Sequence, residues 1–151
     1  MKKFFWGLLI VTVLFVMTAC NGYNKIMREH LGDADNYSVV DATFCSYEEV
    51  KDRIYLYVSI EDKSDFDGSE INSKEIRLEL VGDNVDALRE ALTKEEIHEG
   101  DKITVKCSTL IYMDSNFYYI AEFKFQDKTL LSFDDGLKNI RKYMDDNKSL
   151  F

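Results

Sequence analysis

The alternation of apolar and polar residues is the feature that most constrains the fold of this chain. Between Arg53 and Glu61 every second residue, from Ile54 to Ile60, is aliphatic, and the residues between them are polar or aromatic. Successive side chains of a β-strand point to opposite faces, so this pattern predicts a strand with one buried face and one exposed face. The same period recurs in segments 36–47, 74–81, 102–112 and 117–125, and segment 129–133 is a candidate for a short last strand. We therefore predict a mainly β chain.

Helical spacing appears at three places between or beside these strands. Val85, Leu88 and Leu92 recur with the period of a helix between the third and fourth strands. After the last strand, Asp134 and Asp135 precede a run of apolar residues at the same spacing, and acidic residues favour the first turn of a helix. A short helix is also predicted over residues 23–31, before the first strand.

The predicted order is strand, strand, strand, helix, strand, strand, helix, and the passage "GDKITV" opens the strand after the first of these helices. From Tyr37 to Phe133 this order resembles the OB-fold, a five-stranded Greek-key barrel. The resemblance implies an OB-like barrel with α-helix content: one helix lies between strands 3 and 4, and another is C-terminal. The alternative is an open α+β sheet with its helices packed on one side.

The N-terminus carries a different signal. Lys2 and Lys3 precede an apolar run from Phe4 to Met17, which is shorter than the roughly 20 apolar residues of a spanning helix and is typical of a signal peptide. The stretch "VMTAC", which ends at Cys20, resembles the lipobox of bacterial lipoproteins, with methionine where that family favours leucine. The resemblance implies cleavage before Cys20 and a diacylglyceryl group on its thiol. An uncleaved anchor and plain secretion are the alternatives.

These signals divide the chain into three parts. Residues 1–19 are predicted to be a lipoprotein signal peptide, residues 20–35 the lipidated cysteine with a short helical spacer, and residues 36–151 the OB-like barrel domain with its C-terminal helix. The predicted location is the extracytoplasmic face of a bacterial cell membrane, with the lipid on Cys20 as the anchor.

The net charge of −9 bears on the choice of partner. A surface this acidic repels phosphate backbones, so nucleic acid is predicted not to be a partner. The predicted partners are the membrane, through the lipid, and a glycan, peptide or protein of the cell envelope.

The titratable residues do not form a recognisable catalytic pattern. His30 and His98 are the only histidines, and neither stands in the spacing of a zinc site or beside a nucleophile motif. The 28 acidic residues are too many for one catalytic pair to be singled out. We therefore predict no cofactor and no enzymatic activity.

The acidic segment between the second and third strands partly matches a calcium-binding loop. Asp65, Asp67 and Gly68 match the third, fifth and sixth positions of an EF-hand loop. Lys63 and Lys74 would then occupy the first and twelfth positions, where calcium requires oxygen ligands. We therefore predict no metal site there.

Cys45 and Cys107 could form a disulfide outside the cytoplasm. The alternation places Cys107 on the inner face of its strand and Cys45 on the outer face of its own, too far apart for a disulfide unless a β-bulge changes the phase. Two free thiols are therefore the favoured interpretation.

A group of tyrosines is the candidate ligand face. Tyr55 and Tyr57 share the outer face of the second strand, and Tyr118, with Tyr47 as a further candidate, is predicted to extend them into an aromatic platform. The resemblance to the OB-fold implies that this face binds ligands. The alternative is that these tyrosines only favour the strand conformation.

Together these observations predict a membrane-anchored, extracytoplasmic, non-catalytic binding or interaction module. Two alternatives stay open: a carboxylate-based hydrolase of the cell envelope, and a structural accessory of a membrane complex.

Overall fold

The computed structural model describes residues 25–51, 53–60, 75–94, 97–112 and 115–147. Within these ranges the chain forms a sheet, three helices and a short 3-10 turn at Ala34–Asn36. The strands are β1 (Tyr37–Val50), β2 (Arg53–Ser59), β3 (Glu75–Val81), β4 (Lys102–Tyr112), β5 (Ser115–Phe125) and β6 (Lys128–Leu131). The helices are α1 (residues 25–32), α2 (Asn84–Lys94) and α3 (Phe133–Asp146).

The sheet closes on itself as a barrel. Its strand order is β3-β2-β1-β4-β5-β6, with antiparallel neighbours, and an additional parallel pairing of Glu79 with Tyr119 joins β3 to β5. The helix α2 connects β3 to β4, and α3 follows the last strand. The chain is therefore an OB-like barrel with a C-terminal helix, which confirms the predicted fold, and β6 extends the barrel beyond its five principal strands.

The barrel core contains the aliphatic residues that the alternation placed inside. Ile54, Leu56 and Val58 of β2 are fully buried, and they pack with the inward side chains of the other strands. From α2, Val85 and Leu88 join the same core, as their helical spacing predicted. This burial of apolar surface is the main source of stability for the barrel.

A second apolar cluster lies outside the barrel, where α1 and α3 cover the junction of β3 with β5. Its residues come from both helices and from the outer faces of three strands: Met27, Leu31, Tyr37, Val81, Tyr119, Ala121, Leu137, Ile140, Tyr143 and Met144. The Tyr37 hydroxyl donates a hydrogen bond to the Leu31 carbonyl oxygen at 2.9 Å, and burial raises the pKa of this phenol. Strand β5 is consequently buried on both faces.

The helix α3 begins at a well-defined cap. The Ser132 hydroxyl accepts a hydrogen bond from the backbone N–H of Asp135, and Asp134 and Asp135 stand in the first turn. Both features stabilise the N-terminus of a helix, by satisfying a free amide and by opposing the helix dipole. None of the helices in the described ranges combines the length and the apolar character needed to cross a bilayer.

A β-bulge at Cys45 changes the facing of β1. Phe44 pairs with Val58 and Ser46 pairs with Tyr57, which leaves Cys45 as an extra residue between them. An extra residue reverses the alternation beyond it. Residues of β1 after the bulge therefore face the opposite way from a strict period of two.

A second bulge lies at Ala121 in β5. Glu122 pairs with Lys106 and Ile120 pairs with Cys107, so Ala121 is the extra residue. The bulge lets residues on both sides of it enter the barrel core while Ala121 itself points outward beneath α3.

Neither Cys45 nor Cys107 forms a disulfide, in agreement with the interpretation favoured from the sequence. Cys107 is buried in the barrel core, and Cys45 is half-buried at its bulge. Burial raises the pKa of the Cys107 thiol to about 12. The reactive thiolate of Cys107 is therefore scarce at neutral pH.

We expect a disulfide-exchange reagent to label Cys45 in the native state and Cys107 only through unfolding. Because the folded-state pKa of Cys107 lies above its ordinary value of 9.0, its protonated thiol stabilises the fold below pH 9, and that contribution is lost as the pH rises toward 12. The accessibility of the two thiols is checked by the labelling rates of two chains that both carry Cys20→Ser. One of them also carries Cys45→Ser, and the other also carries Cys107→Ser. Native-state labelling of Cys107 as fast as that of Cys45 contradicts it.

Candidate functional site

Three side chains on the outside of β2 and β3 form what we call the tyrosine face: Tyr55, Tyr57 and Arg77. The tyrosines alternate along β2 with buried Leu56 and Val58, so both rings point away from the core, where they are half-buried. The alternation of the sequence is therefore the direct cause of this aromatic surface, as predicted for Tyr55 and Tyr57.

Arg77 completes the face from the neighbouring strand. It pairs with Tyr57 across the β2–β3 ladder, and its guanidinium carbon lies 4.9 Å from the centroid of the Tyr55 ring. A guanidinium at this distance is attracted to the negative face of an aromatic ring. Arg77 is exposed, so the contact places a solvent-accessible positive charge directly on the aromatic surface.

One end of the tyrosine face is fixed to α3 through Arg53. Its Nη1 donates to Glu79 Oε1 at 2.7 Å, and its Nη2 donates to the Tyr143 hydroxyl at 2.9 Å. Partial burial lowers the pKa of Arg53, but the Glu79 carboxylate and hydrogen bonds to Tyr55 and Tyr143 raise it more, and the net shift is upward. Arg53 thus stays charged and joins β2, β3 and α3 at this edge.

The opposite edge of the face is formed by β1. Glu48 pairs with Tyr55 in the β1–β2 register, and its Oε2 accepts a hydrogen bond from the Tyr57 hydroxyl at 3.2 Å. Desolvation and this contact with the Glu48 carboxylate raise the pKa of the Tyr57 phenol. The tyrosine face therefore has a positive group on β3 and an acceptor on β1.

Tyr118 and Tyr47 do not extend this platform, so that part of the prediction was wrong. Tyr118 is 7% exposed and packs in the barrel core. Counting back from Phe123 in steps of two puts Tyr118 outside, but the bulge at Ala121 turns it inward. Tyr47 is exposed, but it pairs with Leu56 and so faces the other side of the sheet, because of the bulge at Cys45.

The sequence reasoning missed Arg77, Glu48 and Arg53 as members of this site. Arg77 and Arg53 were recognisable as outward-facing residues of their strands, since both alternate with aliphatic residues. Their neighbours across the sheet depend on strand order and register, which the alternation does not give. A strict period of two would put Glu48 on the inner face together with Phe44, and the bulge at Cys45 reverses this.

The N-terminal segment and the acidic loop between β2 and β3 are not among the described residues. Cys20 and the apolar run before it lie outside the described residues, as do Asp65 and Asp67 of the calcium-like loop. Lipid attachment at Cys20 therefore stays a prediction based on the sequence pattern. Within the described ranges, no three residues among the histidines, cysteines and acids form a group that could hold a metal ion.

No model of a known protein family matches this chain, and no curated protein sequence matches it. Solved structures do match in fold. The S. pombe Stn1–Ten1 complex matches with a TM-score of 0.40 and 11% identity, over 76% of this chain and 72% of the matched chain. A replication protein A heterotrimer bound to single-stranded DNA matches with a TM-score of 0.38 and 7% identity, over 76% and 74%.

A third solved structure is Schizosaccharomyces pombe Pot1pC bound to single-stranded DNA, with a TM-score of 0.38 and 16% identity over 76% of this chain and 90% of the matched chain. At these identities the likeness concerns the fold alone. All three neighbours are OB-fold proteins, in agreement with the strand order of the barrel.

These neighbours contradict the predicted function, location and partners. None is a membrane lipoprotein of the cell envelope, and two were solved with single-stranded DNA. The predicted extracytoplasmic envelope module is therefore contradicted, and so is the exclusion of nucleic acid. The exclusion rested on net charge, which averages the whole chain, whereas a ligand meets the local groups of one face.

Proposed function

We propose that this barrel is a non-catalytic module that binds single-stranded nucleic acid by stacking bases on the tyrosine face. The observation that carries the proposal is the pair of outward tyrosine rings on β2 with the Arg77 guanidinium packed on one of them. OB-folds use the surface of their second and third strands to bind oligonucleotides or oligosaccharides. The tyrosine face occupies that surface.

The spacing of the two rings suits successive bases. Tyr55 and Tyr57 are separated by one residue on a strand, which places their Cα atoms about 6.6 Å apart on the same side. Stacking of a base on an aromatic side chain contributes about 1–3 kcal/mol and tolerates any sequence. Two such stacks support weak but measurable binding of a short single strand.

The acidic character of the chain shapes how this binding responds to salt. With a net charge of −9, the protein gains little from long-range attraction to phosphates. Arg77 is the exposed cation of the tyrosine face, so about one phosphate is neutralised. The logarithm of the affinity should then fall by about 0.7 for each unit rise in the logarithm of the salt concentration. Stacking supplies most of the affinity.

Replacement of Tyr55 by alanine tests the proposal. We expect Tyr55→Ala to weaken binding of a fluorescent single-stranded hexamer by about tenfold, since one base loses its stacking partner. Fluorescence anisotropy at several salt concentrations gives both the affinity and the salt slope. Tyr47→Ala is the matched control, because Tyr47 is an exposed tyrosine on the other side of the same sheet.

The control should leave binding unchanged. Equal losses in Tyr55→Ala and Tyr47→Ala would contradict a site on the tyrosine face. Absence of binding by the wild-type barrel to DNA and RNA hexamers overturns the proposed function itself. Binding of a neutral oligosaccharide in place of the hexamers would also overturn the proposed function. It would show that the ligand of the tyrosine face is a sugar.

A further inference from the structure

The carboxylate of Glu48 lies at the rim of the tyrosine face, where the edge of a stacked base would come to rest. Given the proposed function, we propose that Glu48 selects guanine by accepting hydrogen bonds from its Watson–Crick edge. The site would then prefer single strands that carry a guanine over strands that lack one. This selectivity rests on Glu48 and is separable from the stacking itself.

The position of Glu48 is fixed by the strand register. It lies directly across from Tyr55 on the neighbouring strand, and residues paired in this way point to the same side of the sheet. Its side chain is exposed and reaches Tyr57, whose hydroxyl donates to Oε2 at 3.2 Å. One carboxylate therefore stands beside both rings of the face.

Two neighbouring acids, Glu49 and Glu79, have other partners that hold them away from a ligand. Glu49 follows Glu48 but faces the opposite side of β1, where its Oε1 accepts from Arg89 Nε at 2.6 Å. Glu79 lies on the same face as Tyr55, but it is buried and bound to Arg53 at 2.7 Å. Among these three, Glu48 is the carboxylate exposed on the tyrosine face.

The chemistry of a carboxylate decides which base it favours. An ionised carboxylate only accepts hydrogen bonds and has about four lone-pair positions, of which the Tyr57 hydroxyl uses one. Guanine presents two adjacent donors, the N1–H and N2–H groups, which match two carboxylate oxygens. Adenine and cytosine present one amino group beside an acceptor nitrogen, and thymine presents one N–H between two carbonyl oxygens. The carboxylate meets a second donor only on guanine.

The same negative charge acts against the phosphate backbone for every sequence. Removal of the charge should therefore strengthen binding generally while it removes the preference for guanine. A merely structural role of Glu48 would weaken or strengthen all sequences alike. The ratio of affinities between sequences is thus the informative quantity, and it does not depend on the overall affinity.

The experiment compares a thymidine hexamer with hexamers in which the third base is guanine, adenine or cytosine. By anisotropy, the wild-type barrel should bind the guanine hexamer at least about fivefold more tightly than the other three, in line with the discrimination of a bidentate contact. Glu48→Gln should reduce that ratio to about one, because the amide replaces one acceptor by a donor. Glu49→Gln removes the same charge on the other side of β1 and should keep the ratio.

The outcomes separate this inference from the proposed function. Binding of all four hexamers with equal affinity by the wild type overturns the role of Glu48 and leaves stacking on the tyrosine face intact. A guanine preference that survives in Glu48→Gln, or one that Glu49→Gln also abolishes, overturns it as well. Absence of any binding overturns both proposals. A cooperative thermal unfolding transition of each variant verifies that its barrel is folded.

Discussion

Replacement of Gly136 by alanine is expected to detach α3 from the barrel and to lower the free energy of unfolding by at least about 3 kcal/mol. A Cβ atom built at Gly136 would lie 2.6 Å from the carbonyl carbon of Ala121 and closer still to its oxygen. Real Cβ atoms do not approach backbone that closely, and neither partner is a flexible side chain that could move aside. The backbone of α3 and that of β5 would have to separate.

The separation would be costly because α3 carries much of the second apolar cluster. Leu137, Ile140 and Met144 all contact it from the same helix face. Lifting this face re-exposes apolar surface at about 25 cal/mol per Å². Alanine has the better intrinsic helix propensity, by up to about 1 kcal/mol, so propensity alone predicts stabilisation and the two effects have opposite signs.

Thermal and urea unfolding of Gly136→Ala measure the effect, with a fall in midpoint of about 10 °C expected for a domain of this size. Gly32→Ala is the matched control, since a Cβ at Gly32 meets nothing within 4 Å. The control should match the wild type or be slightly more stable. A Gly136→Ala protein as stable as the control would contradict the close approach of α3 to β5.

Loss of the Glu79 carboxylate is the second change expected to have a large effect. We expect Glu79→Ala to destabilise the barrel by about 2–3 kcal/mol, because it leaves the Arg53 guanidinium without its counter-charge at a partly buried position. The side chain of Glu79 is 10% exposed and that of Arg53 is 30% exposed. Water therefore partly solvates the charge that is left unpaired, and the loss of stability is smaller than for a fully buried pair.

A double variant distinguishes a charge effect from a packing effect. Combining Glu79→Leu with Arg53→Met removes both charges and keeps apolar volume, so most of the lost stability should return. Asp86→Ala serves as the surface control, because Asp86 pairs with Arg89 on the exposed side of α2 and such pairs contribute about 0–1 kcal/mol. Equal effects of Glu79→Ala and Asp86→Ala on urea unfolding would refute the special position of the Arg53 pair.

Loss of the Arg53–Glu79 pair should also disturb the arrangement of the tyrosine face. Arg53 contacts Glu79 on β3 and Tyr143 on α3, and Tyr55 follows it by two residues on the same face of β2. The packing of α3 and the arrangement of the tyrosine face therefore both depend on Arg53. Arg53 therefore links the helix α3 to the edge of the tyrosine face.

The tyrosine face shows which side-chain orientations the alternation of the sequence could predict. The alternation in β2 correctly predicted that Tyr55 and Tyr57 face outward, because β2 has no bulge within its length and its pairing with β3 is regular. The same rule failed for Tyr118 and Tyr47, each of which lies on a strand with a bulge. One extra residue reverses the facing of everything beyond it, and an alternating sequence does not show where such a residue is accommodated.

Local periodicity by itself determined which segments are strands or helices, the order of these elements, and the aliphatic interior from Ile54 to Val58. These depend on whether neighbouring residues fall on one side of the backbone, which is a property of short stretches. Only the tertiary structure decided that β3 meets β5, that Gly136 touches Ala121, and that Arg77 lies on Tyr55. Each of these contacts joins segments distant in sequence, and their register is set by the closure of the barrel as a whole.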